Sequence, residues 1–129
     1  MAQNKEDEQI VMSVVDQFMQ AIDEKDTSLF NAVLIENAQA FVSQGNEVKT
    51  RKMKMLVDFP ADQQWKERLD QAEIKVAVSE KIASVSAPYL FWINDQFSHC
   101  GYETFVLVKE KGSWKINSLT FSVEREDCQ

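Results

Sequence analysis

Residues that bind metals and form disulfide frameworks are scarce in this chain. Its 129 residues include one histidine, His99, and two cysteines, Cys100 and Cys128. Because a zinc site needs several closely spaced Cys or His ligands, we expect no metal site, and no pattern indicates another cofactor. Cys128 lies about five residues beyond the point opposite Cys100 on the predicted strands, too far for a disulfide unless the C-terminal tail folds back. We therefore expect two reduced thiols, which are typical of a cytoplasmic protein.

Positive charge and long apolar runs are also scarce. The chain has 14 Lys and Arg residues against 21 Asp and Glu, a net charge of −7. That charge argues against nucleic acid as a main partner and disfavours anionic membranes. No apolar run approaches the roughly 20 residues that span a bilayer, and the acidic segment 1–8 does not resemble a signal peptide. Without linkers or internal repeats, residues 1–129 fit a single domain.

The first pattern that is present is helical. Apolar residues between Ile10 and Ile22 recur on one face and predict an amphipathic helix over residues 8–25. Asp26 suits the N-cap of a second, shorter helix that runs to Leu34. Residues 54–69 predict one or two further short helices, which a proline would interrupt.

After residue 70 the chain has the alternating pattern of strands. Asn94-Asp95 suits the two central positions of a type I′ turn, and Lys111-Gly112 suits another hairpin turn. Helices followed by a long, mostly antiparallel meander predict the α+β class, with the N-terminal helices packed on the sheet. The predicted strands are 38–43, 48–53, 73–78, 81–93, 97–109 and 114–124.

Both faces of the central predicted strands are apolar. Phe105 and Leu107 lie on one face of their strand, and Val106 and Val108 lie on the other; residues 89–93 behave in the same way. A strand that is apolar on both faces needs a cover on each side. Because the short helices can cover only one face, we predict a homodimer through the sheet.

Four segments carry a family resemblance: residues 87–91, 97–107, 112–116 and 125–128. Together with the order of helices and strands, they resemble the nuclear transport factor 2-like superfamily, which includes ketosteroid isomerases, scytalone dehydratase and SnoaL-like polyketide cyclases. They are most similar to a bacterial branch that is often labelled lumazine-binding. The resemblance implies a cone-shaped α+β barrel with a cavity between the concave sheet face and the N-terminal helices.

The catalytic sets of these relatives do not transfer residue by residue. Ketosteroid isomerases use an aspartate base with a tyrosine and a protonated aspartic acid as oxyanion donors. Here the first helix supplies Asp16, Gln17 and Gln20 but no tyrosine, and strand 38–43 has no carboxylate. Scytalone dehydratase uses two histidines, and this chain has one.

His99 is the best candidate for a general acid or base, and Glu103 is the second catalytic candidate. On a regular strand Glu103 lies ~13 Å from His99, too far for a direct hydrogen bond. The register of the hairpin decides whether Leu90 or Phe91 lies opposite His99. It also decides whether Tyr89 shares the pocket with His99, and the sequence leaves both questions open.

Other neighbours of His99 are also open at this stage. Gly101 could mark a bulge that changes the facing of the strand. A tight turn before the last strand would bring Val123 or Glu124 near His99, so Glu124 is an alternative partner. Cys100 is adjacent in sequence, but adjacent strand residues face opposite sides, so we expect no Cys-His nucleophile.

The candidate pocket combines aromatic and charged side chains. Glu103 lies on an apolar strand and should not be buried unpaired, so it either forms a salt bridge, with Arg51 for example, or lines the cavity. Arg51 and the segment from Trp65 to Glu67 fall where the bacterial branch tends to carry Arg, Trp and Glu. The aromatic residues could equally be core residues. The candidate ligand-pocket residues are Arg51, Trp65, Tyr89, Phe91 and Phe105.

Three functions remain open from the sequence. The first is a small dimeric protein that binds an apolar or aromatic metabolite in the cone. The second is a SnoaL-like isomerase, dehydratase or cyclase in which His99 acts as general acid or base. The third is a protein–protein adaptor, like nuclear transport factor 2. The resemblance implies the fold and leaves these functions unresolved, because one fold hosts many functions.

Overall fold

The computed structural model describes residues 2–55 and 58–128. Two helices precede one seven-stranded sheet, which confirms the predicted α+β class. The helices are α1 (Ala2–Glu24) and α2 (Thr27–Ala32), and the strands are β1 (Leu34–Gln44), β2 (Glu47–Lys52), β3 (Trp65–Leu69), β4 (Lys75–Val78), β5 (Ile82–Ile93), β6 (Gln96–Glu110) and β7 (Ser113–Ser122). A 3-10 turn at Gln71–Glu73 precedes β4.

The two helices form the predicted helical hairpin. The apolar face of α1 packs on the sheet, and Val11 near its centre is fully buried. Asp26 caps α2 as predicted, because its carboxylate accepts a hydrogen bond from the backbone N–H of Leu29 at 2.9 Å. The helix ends at Ala32 rather than at Leu34, because Leu34 already belongs to β1.

The sheet places its four longest strands, β1, β7, β6 and β5, between the short edge strands β2 and β3. The strand order is β2-β1-β7-β6-β5-β3, and β4 also pairs with β5. All neighbouring strands are antiparallel except β1 and β7, which are parallel. The sheet does not close on itself, since its edge strands β2 and β3 do not pair with each other. Helix α1 lies across one face, in contact with β3, β4, β5 and β7, and we call this the inner face.

The predicted helices over residues 54–69 are wrong. None of the described residues in this range, 54–55 and 58–69, is helical, and residues 65–69 form β3. β3 pairs with the far end of β5, so that Glu67 lies opposite Phe91. Its residues alternate between the two faces of the sheet, with Glu67 and Leu69 buried. Tertiary pairing with β5 therefore decides the conformation of a segment whose polar residues gave no clear strand pattern.

The β5–β6 hairpin resolves the register that the sequence left open. Asn94 and Asp95 both have positive φ, as the predicted turn requires. A one-residue irregularity next to the turn sets Phe91 opposite His99 and Tyr89 opposite Gly101. Alternate residues share a face, so Phe91, Tyr89 and His99 all point to the inner face.

The expectation of two reduced thiols is wrong in the structure. Cys100 and Cys128 form a disulfide, with Cα atoms 5.7 Å apart. The C-terminal tail folds back after β7: Glu124 pairs with Cys100 through two backbone hydrogen bonds, and Asp127 adopts a positive φ that turns the chain. This turn closes the distance that a regular strand would have left between the two cysteines.

The opposite, outer face of the sheet is less covered than the inner face. On β6, Phe105 and Leu107 are fully buried under α1, whereas Val106 and Val108 on the outer face are only half-buried. Ile82, which pairs with Val108, is exposed. No helix in the described part of the chain has the length and apolar character needed to cross a bilayer.

Candidate functional site

A cavity of about 510 Å³ lies between the helices and the inner face of the sheet. Side chains from α1, α2 and six strands line it, together with residues of the connection between β2 and β3. Most of these side chains are apolar. The apolar lining residues are Phe18, Ile22, Phe30, Ala40, Val42, Met53, Met55, Phe59, Trp65, Tyr89, Phe91, Ile93, Leu119, Phe121 and Val123.

Aromatic rings form a continuous chain along the wall of the cavity. Phe59 packs edge-on against Phe30 and against Trp65, with centroids 5.5 Å apart in each pair. Trp65 continues the chain to Phe91 at 6.3 Å, and Phe91 stacks on His99 at 4.8 Å. These distances are typical of favourable aromatic pairs, which hold the rings in fixed orientations.

Two buried carboxyl groups meet in the cavity. Glu67 comes from β3 and Glu103 from β6, and their side chains are hydrogen-bonded to each other. Glu67 is 7% exposed and Glu103 is 2% exposed. Oε2 of each residue is buried and has no hydrogen-bond partner among the described residues. We call these two residues the carboxyl pair.

Burial keeps protons on the carboxyl pair. Removal from water raises the pKa of Glu103 well above its usual range, and the neighbouring Glu67 carboxylate raises it further. Burial also raises the pKa of Glu67, although its hydrogen bond with Glu103 partly offsets that rise. Two carboxyl groups in contact cannot both ionise easily, so Glu103 acts as the protonated member that donates to Glu67.

Tyr89 fixes the wall beside the carboxyl pair. Its hydroxyl donates a 2.6 Å hydrogen bond to the backbone carbonyl of Ser122, and burial raises its pKa, so it stays protonated. Gly101, which lies opposite Tyr89, permits this arrangement, because a Cβ atom at Gly101 would overlap the Ser122 carbonyl oxygen. The absence of a side chain at Gly101 thus lets β7 approach close enough to hold the tyrosine.

His99 lines the cavity and is half-buried. Its Nδ1 is hydrogen-bonded to the Ser98 hydroxyl at 2.9 Å, and its ring contacts Tyr89 edge-on at 5.8 Å. Burial lowers the pKa of His99, and the positive charge of Arg125 lowers it further. The imidazole is therefore neutral at neutral pH.

Basic side chains line the solvent-exposed edge of the cavity. Arg51 and Lys52 come from edge strand β2, and Arg125 comes from the C-terminal tail, where it donates a hydrogen bond to the Ser98 carbonyl at 3.1 Å. Among the described residues, none of the three forms a salt bridge with a carboxylate. We call these three residues the basic rim.

The structure brings together most of the residues that the sequence proposed for the site. His99, Glu103, Tyr89, Phe91, Arg51 and Trp65 all line the cavity. Phe105 does not, because it is fully buried in the core against Phe18. Glu103 lines the cavity without the salt bridge to Arg51. Glu124 is not the partner of His99. It lies opposite Cys100, and the side chains of Cys100 and His99 point to opposite faces of the sheet.

Sequence reasoning missed Glu67 as the partner of Glu103. The sequence predicts helices over residues 54–69, so it does not indicate which face of the sheet Glu67 occupies. Three successive charged residues between Trp65 and Leu69 hide the strand alternation. The available signal was the family resemblance, in which Glu67 falls where the bacterial branch tends to carry Glu.

A second concavity, of about 490 Å³, lies beside the disulfide. The charged side chains that line it are all exposed, so none has the perturbed environment expected of a reactive group. They are Arg68, Asp70, Glu124 and Asp127. Across residues 2–55 and 58–128, no three or more His, Cys, Asp or Glu side chains are arranged to hold a metal ion. The cavity with the carboxyl pair is therefore the candidate site.

A family model described as a SnoaL-like domain matches residues 11–126. The chain belongs to the SnoaL-like family. The match covers α1 from Val11 onward, α2 and the entire sheet, so it includes the carboxyl pair and the basic rim. No functionally curated protein shows significant similarity to the chain.

Solved structures described as NTF2-like resemble nearly the whole chain. An NTF2-like protein with a cystatin-like fold from Novosphingobium aromaticivorans is 10% identical, with a TM-score of 0.72 over 98% of this chain and 87% of that one. A "putative dehydratase" of the NTF2-like family from Streptomyces avermitilis is 12% identical, with a TM-score of 0.70 over 94% and 98%. An NTF2-like superfamily protein from Salmonella enterica is 16% identical, with a TM-score of 0.66 over 93% and 92%. At these identities the likeness shows the fold alone.

Proposed function

We propose that this SnoaL-like protein binds a small, largely apolar molecule in the cavity between α1 and the sheet. The observation that carries the proposal is the cavity itself: about 510 Å³, walled by aromatic rings, with two buried carboxyl groups whose Oε2 atoms lack partners. Ligand pockets are commonly of this size and have mostly apolar walls with a few convergent polar groups. Transfer of an apolar ligand from water into a cavity with that lining lowers the free energy of the system.

An uncharged fluorescent probe of apolar sites, N-phenyl-1-naphthylamine, tests this proposal. We expect the probe to gain fluorescence with the wild-type protein and to lose that gain with Ala40→Phe, which adds a ring where Ala40 lines the cavity. Ala77→Phe is the matched control, because Ala77 is exposed on β4 and does not line the cavity. Equal fluorescence from the two variants, or none from the wild type, would contradict the proposal.

Acid–base catalysis is the second candidate function, and the carboxyl pair is the observation that favours it. A protonated Glu103 beside an ionised Glu67 supplies an acid and a base, and the neutral His99 supplies a second base in the cavity. One structural neighbour is described as a "putative dehydratase", and dehydration is a reaction that needs an acid and a base. In this function the pair would transfer a proton to or from a hydroxyl or carbonyl oxygen of the substrate.

A panel of hydroxy-carbonyl compounds, followed by the ultraviolet absorbance of the conjugated product, tests the catalytic candidate. Glu103→Gln and His99→Ala should each lower turnover at least about a hundredfold while the melting temperature stays close to that of the wild type. Glu110→Gln, which changes an exposed glutamate on the same strand, should leave turnover unchanged. Turnover that survives both site variants would rule out this role for the two residues.

We also propose that the protein is a homodimer through the outer face of the sheet. Val106 and Val108 are half-buried and Ile82 and Tyr102 are exposed on that face, although they occupy the central strands. Apolar side chains on a central strand are normally covered, and a second copy of the sheet would cover them.

A further inference from the structure

We infer that the ligand of this cavity is a hydroxylated apolar carboxylate, held with its hydroxyl on the carboxyl pair and its carboxylate at the basic rim. This inference rests on the proposed binding function and names the chemical class of ligand. The carboxyl pair and the basic rim differ in charge, so together they would orient the ligand.

The carboxyl pair needs a polar group from the ligand. Glu103 is 2% exposed and Glu67 is 7% exposed, and the Oε2 atom of each has no partner among the described residues. A buried polar atom without a hydrogen bond costs free energy of about 1–3 kcal/mol. Both residues of the carboxyl pair line the cavity, so a hydroxyl that enters beside them can form hydrogen bonds with the pair.

A hydroxyl fits the carboxyl pair better than an ammonium group. Burial and mutual repulsion keep at least one proton on the pair, which lowers its attraction for a cation. Asp23 of α1 contributes a negative charge near Glu67, but its carboxylate is paired with Arg68 at 2.9 Å. Tyr89 stays protonated beside the pair. A neutral hydroxyl can both donate to and accept from a half-protonated pair, without the need to displace a proton.

The basic rim fits a carboxylate. Arg51, Lys52 and Arg125 line the exposed edge of the cavity, and no carboxylate among the described residues pairs with them. Arginine binds carboxylates through charge-assisted hydrogen bonds. The same positive charges repel an incoming ammonium ion and attract an anion to a protein whose net charge is −7.

The separation of the carboxyl pair from Arg125 limits the size of the ligand. Glu67 lies opposite Phe91, which lies opposite His99, so the backbones of Glu67 and His99 are two strand spacings, roughly 10 Å, apart. Arg125 lies beside His99, where its charge lowers the pKa of the imidazole. One ring with a short carboxylate-bearing chain fits within this separation, in contact with Trp65 and Phe91.

Isothermal titration calorimetry with four matched probes tests the inference on the wild-type protein. The probes are 3-(4-hydroxyphenyl)propanoate, 3-phenylpropanoate, 2-(4-hydroxyphenyl)ethanol and 2-(4-hydroxyphenyl)ethylamine. The hydroxylated carboxylate should bind about tenfold more tightly than 3-phenylpropanoate, which lacks the hydroxyl. It should bind at least about threefold more tightly than the uncharged alcohol, and this second ratio should fall at high salt.

Two variants assign each preference to the carboxyl pair or to the basic rim. The double variant Glu67→Leu, Glu103→Leu replaces both acids by apolar side chains, so it should abolish the preference for the hydroxyl while 3-phenylpropanoate still binds. Arg51→Gln should weaken both carboxylates and leave the alcohol unchanged. Lys49→Gln is its matched control on β2, since Lys49 is exposed and does not line the cavity.

The outcomes separate this inference from the proposed function. If N-phenyl-1-naphthylamine binds in the cavity but the hydroxyl and the carboxylate bring no gain in affinity, the apolar binding site stands and the inference is wrong. Tighter binding of the amine than of the hydroxylated carboxylate also overturns it. If neither the fluorescent probe nor any of the four compounds binds, both proposals fail.

Discussion

The surroundings of Glu103 determine its protonation, because burial and the neighbouring Glu67 raise its pKa. Glu103 lies between Tyr102 and Thr104 on β6, and it is almost completely removed from water. No cation compensates it, so its partner is another acid, Glu67. A shared proton is the way in which two such carboxyl groups can be buried together, and it makes the stability of the protein depend on pH.

Glu103→Gln should flatten the dependence of stability on pH. Because the pKa of Glu103 is raised in the folded state, its contribution to stability is fully present below the pKa of the unfolded chain and is lost as pH rises through the folded pKa. The wild type should therefore lose melting temperature as the pH rises above 4.5, the ordinary pKa of a glutamate. The variant should lose less, because glutamine does not ionise.

Glu110→Gln is the control for this measurement, since Glu110 is exposed on the same strand. Thermal denaturation followed by circular dichroism gives the melting temperature at each pH. A wild type that grows more stable from about pH 5 to pH 8, to the same extent as Glu103→Gln, would contradict the shared-proton description.

His99 should titrate below the usual pH range of histidine. Burial and the charge of Arg125 both lower its pKa from 6.5. As the chain has one histidine, a single Hε1 resonance in a proton NMR titration reports it directly. Arg125→Gln should move the midpoint upward, but not above 6.5, because burial remains.

Lys111→Gln is the matched control for Arg125→Gln, because it removes the same charge at the β6–β7 turn, far along β6 from His99. It should leave the midpoint unchanged. A midpoint that moves equally in both variants would show that net charge, and not the nearby guanidinium, controls the histidine.

At the scale of elements, two features decide the geometry of the site. The irregularity beside the β5–β6 turn sets Phe91 opposite His99 and so points both residues into the cavity. The pairing of β3 with β5 carries Glu67 to the inner face. If the irregularity or the β3–β5 pairing were lost, His99 or Glu67 would no longer point to the inner face. Without the β3–β5 pairing the carboxyl pair would not form.

The disulfide is the third feature at this scale, because it holds the tail that carries Arg125. Cys128→Ser should destabilise the protein by about 2–4 kcal/mol, since the bridge spans 28 residues and restricts the unfolded chain. Denaturant unfolding measures the loss. Mass spectrometry without a reducing agent should find no thiol available to iodoacetamide in the folded wild type.

Ser113→Ala is a control that removes no bridge, because Ser113 is an exposed residue at the start of β7. If Cys128→Ser and wild type unfold at the same denaturant concentration, or if both cysteines are alkylated in the native protein, the disulfide does not contribute in solution.

At the scale of the whole molecule, one layer of helix covers one face of an open sheet. The inner face, with α1 and α2, holds the core and the cavity. The outer face presents valines and exposed aromatic residues to the surroundings. This imbalance is the basis of the proposed homodimer.

Multi-angle light scattering at micromolar concentration should give twice the mass of the chain. Val106→Lys, in the middle of the outer face, should produce a monomer, because a lysine cannot be buried unpaired at the centre of an interface. Lys5→Glu, at an exposed position on α1, is the control for a change of charge away from the outer face. A monomeric wild type would refute the proposed dimer.

The sequence by itself determined the class of fold and most of the chain's local structure. The apolar face of α1, the cap at Asp26 and the turn at Asn94-Asp95 are local signals, and all three appear in the structure. Five of the proposed pocket residues other than Glu103 also line the cavity, although the sequence left open whether Tyr89 and Phe91 share a face with His99. They are Arg51, Trp65, Tyr89, Phe91 and His99.

Only the tertiary structure decided which distant residues meet. The conformation of β3 depends on its pairing with β5, and the disulfide depends on the turn of the tail after β7, so neither follows from local sequence. Glu67 and Glu103 are 36 positions apart on strands that are not neighbours in the chain, and burial, which sets their chemistry, exists only once the sheet has formed. The local pattern therefore predicted the strands and the helices, whereas the carboxyl pair required the packed fold.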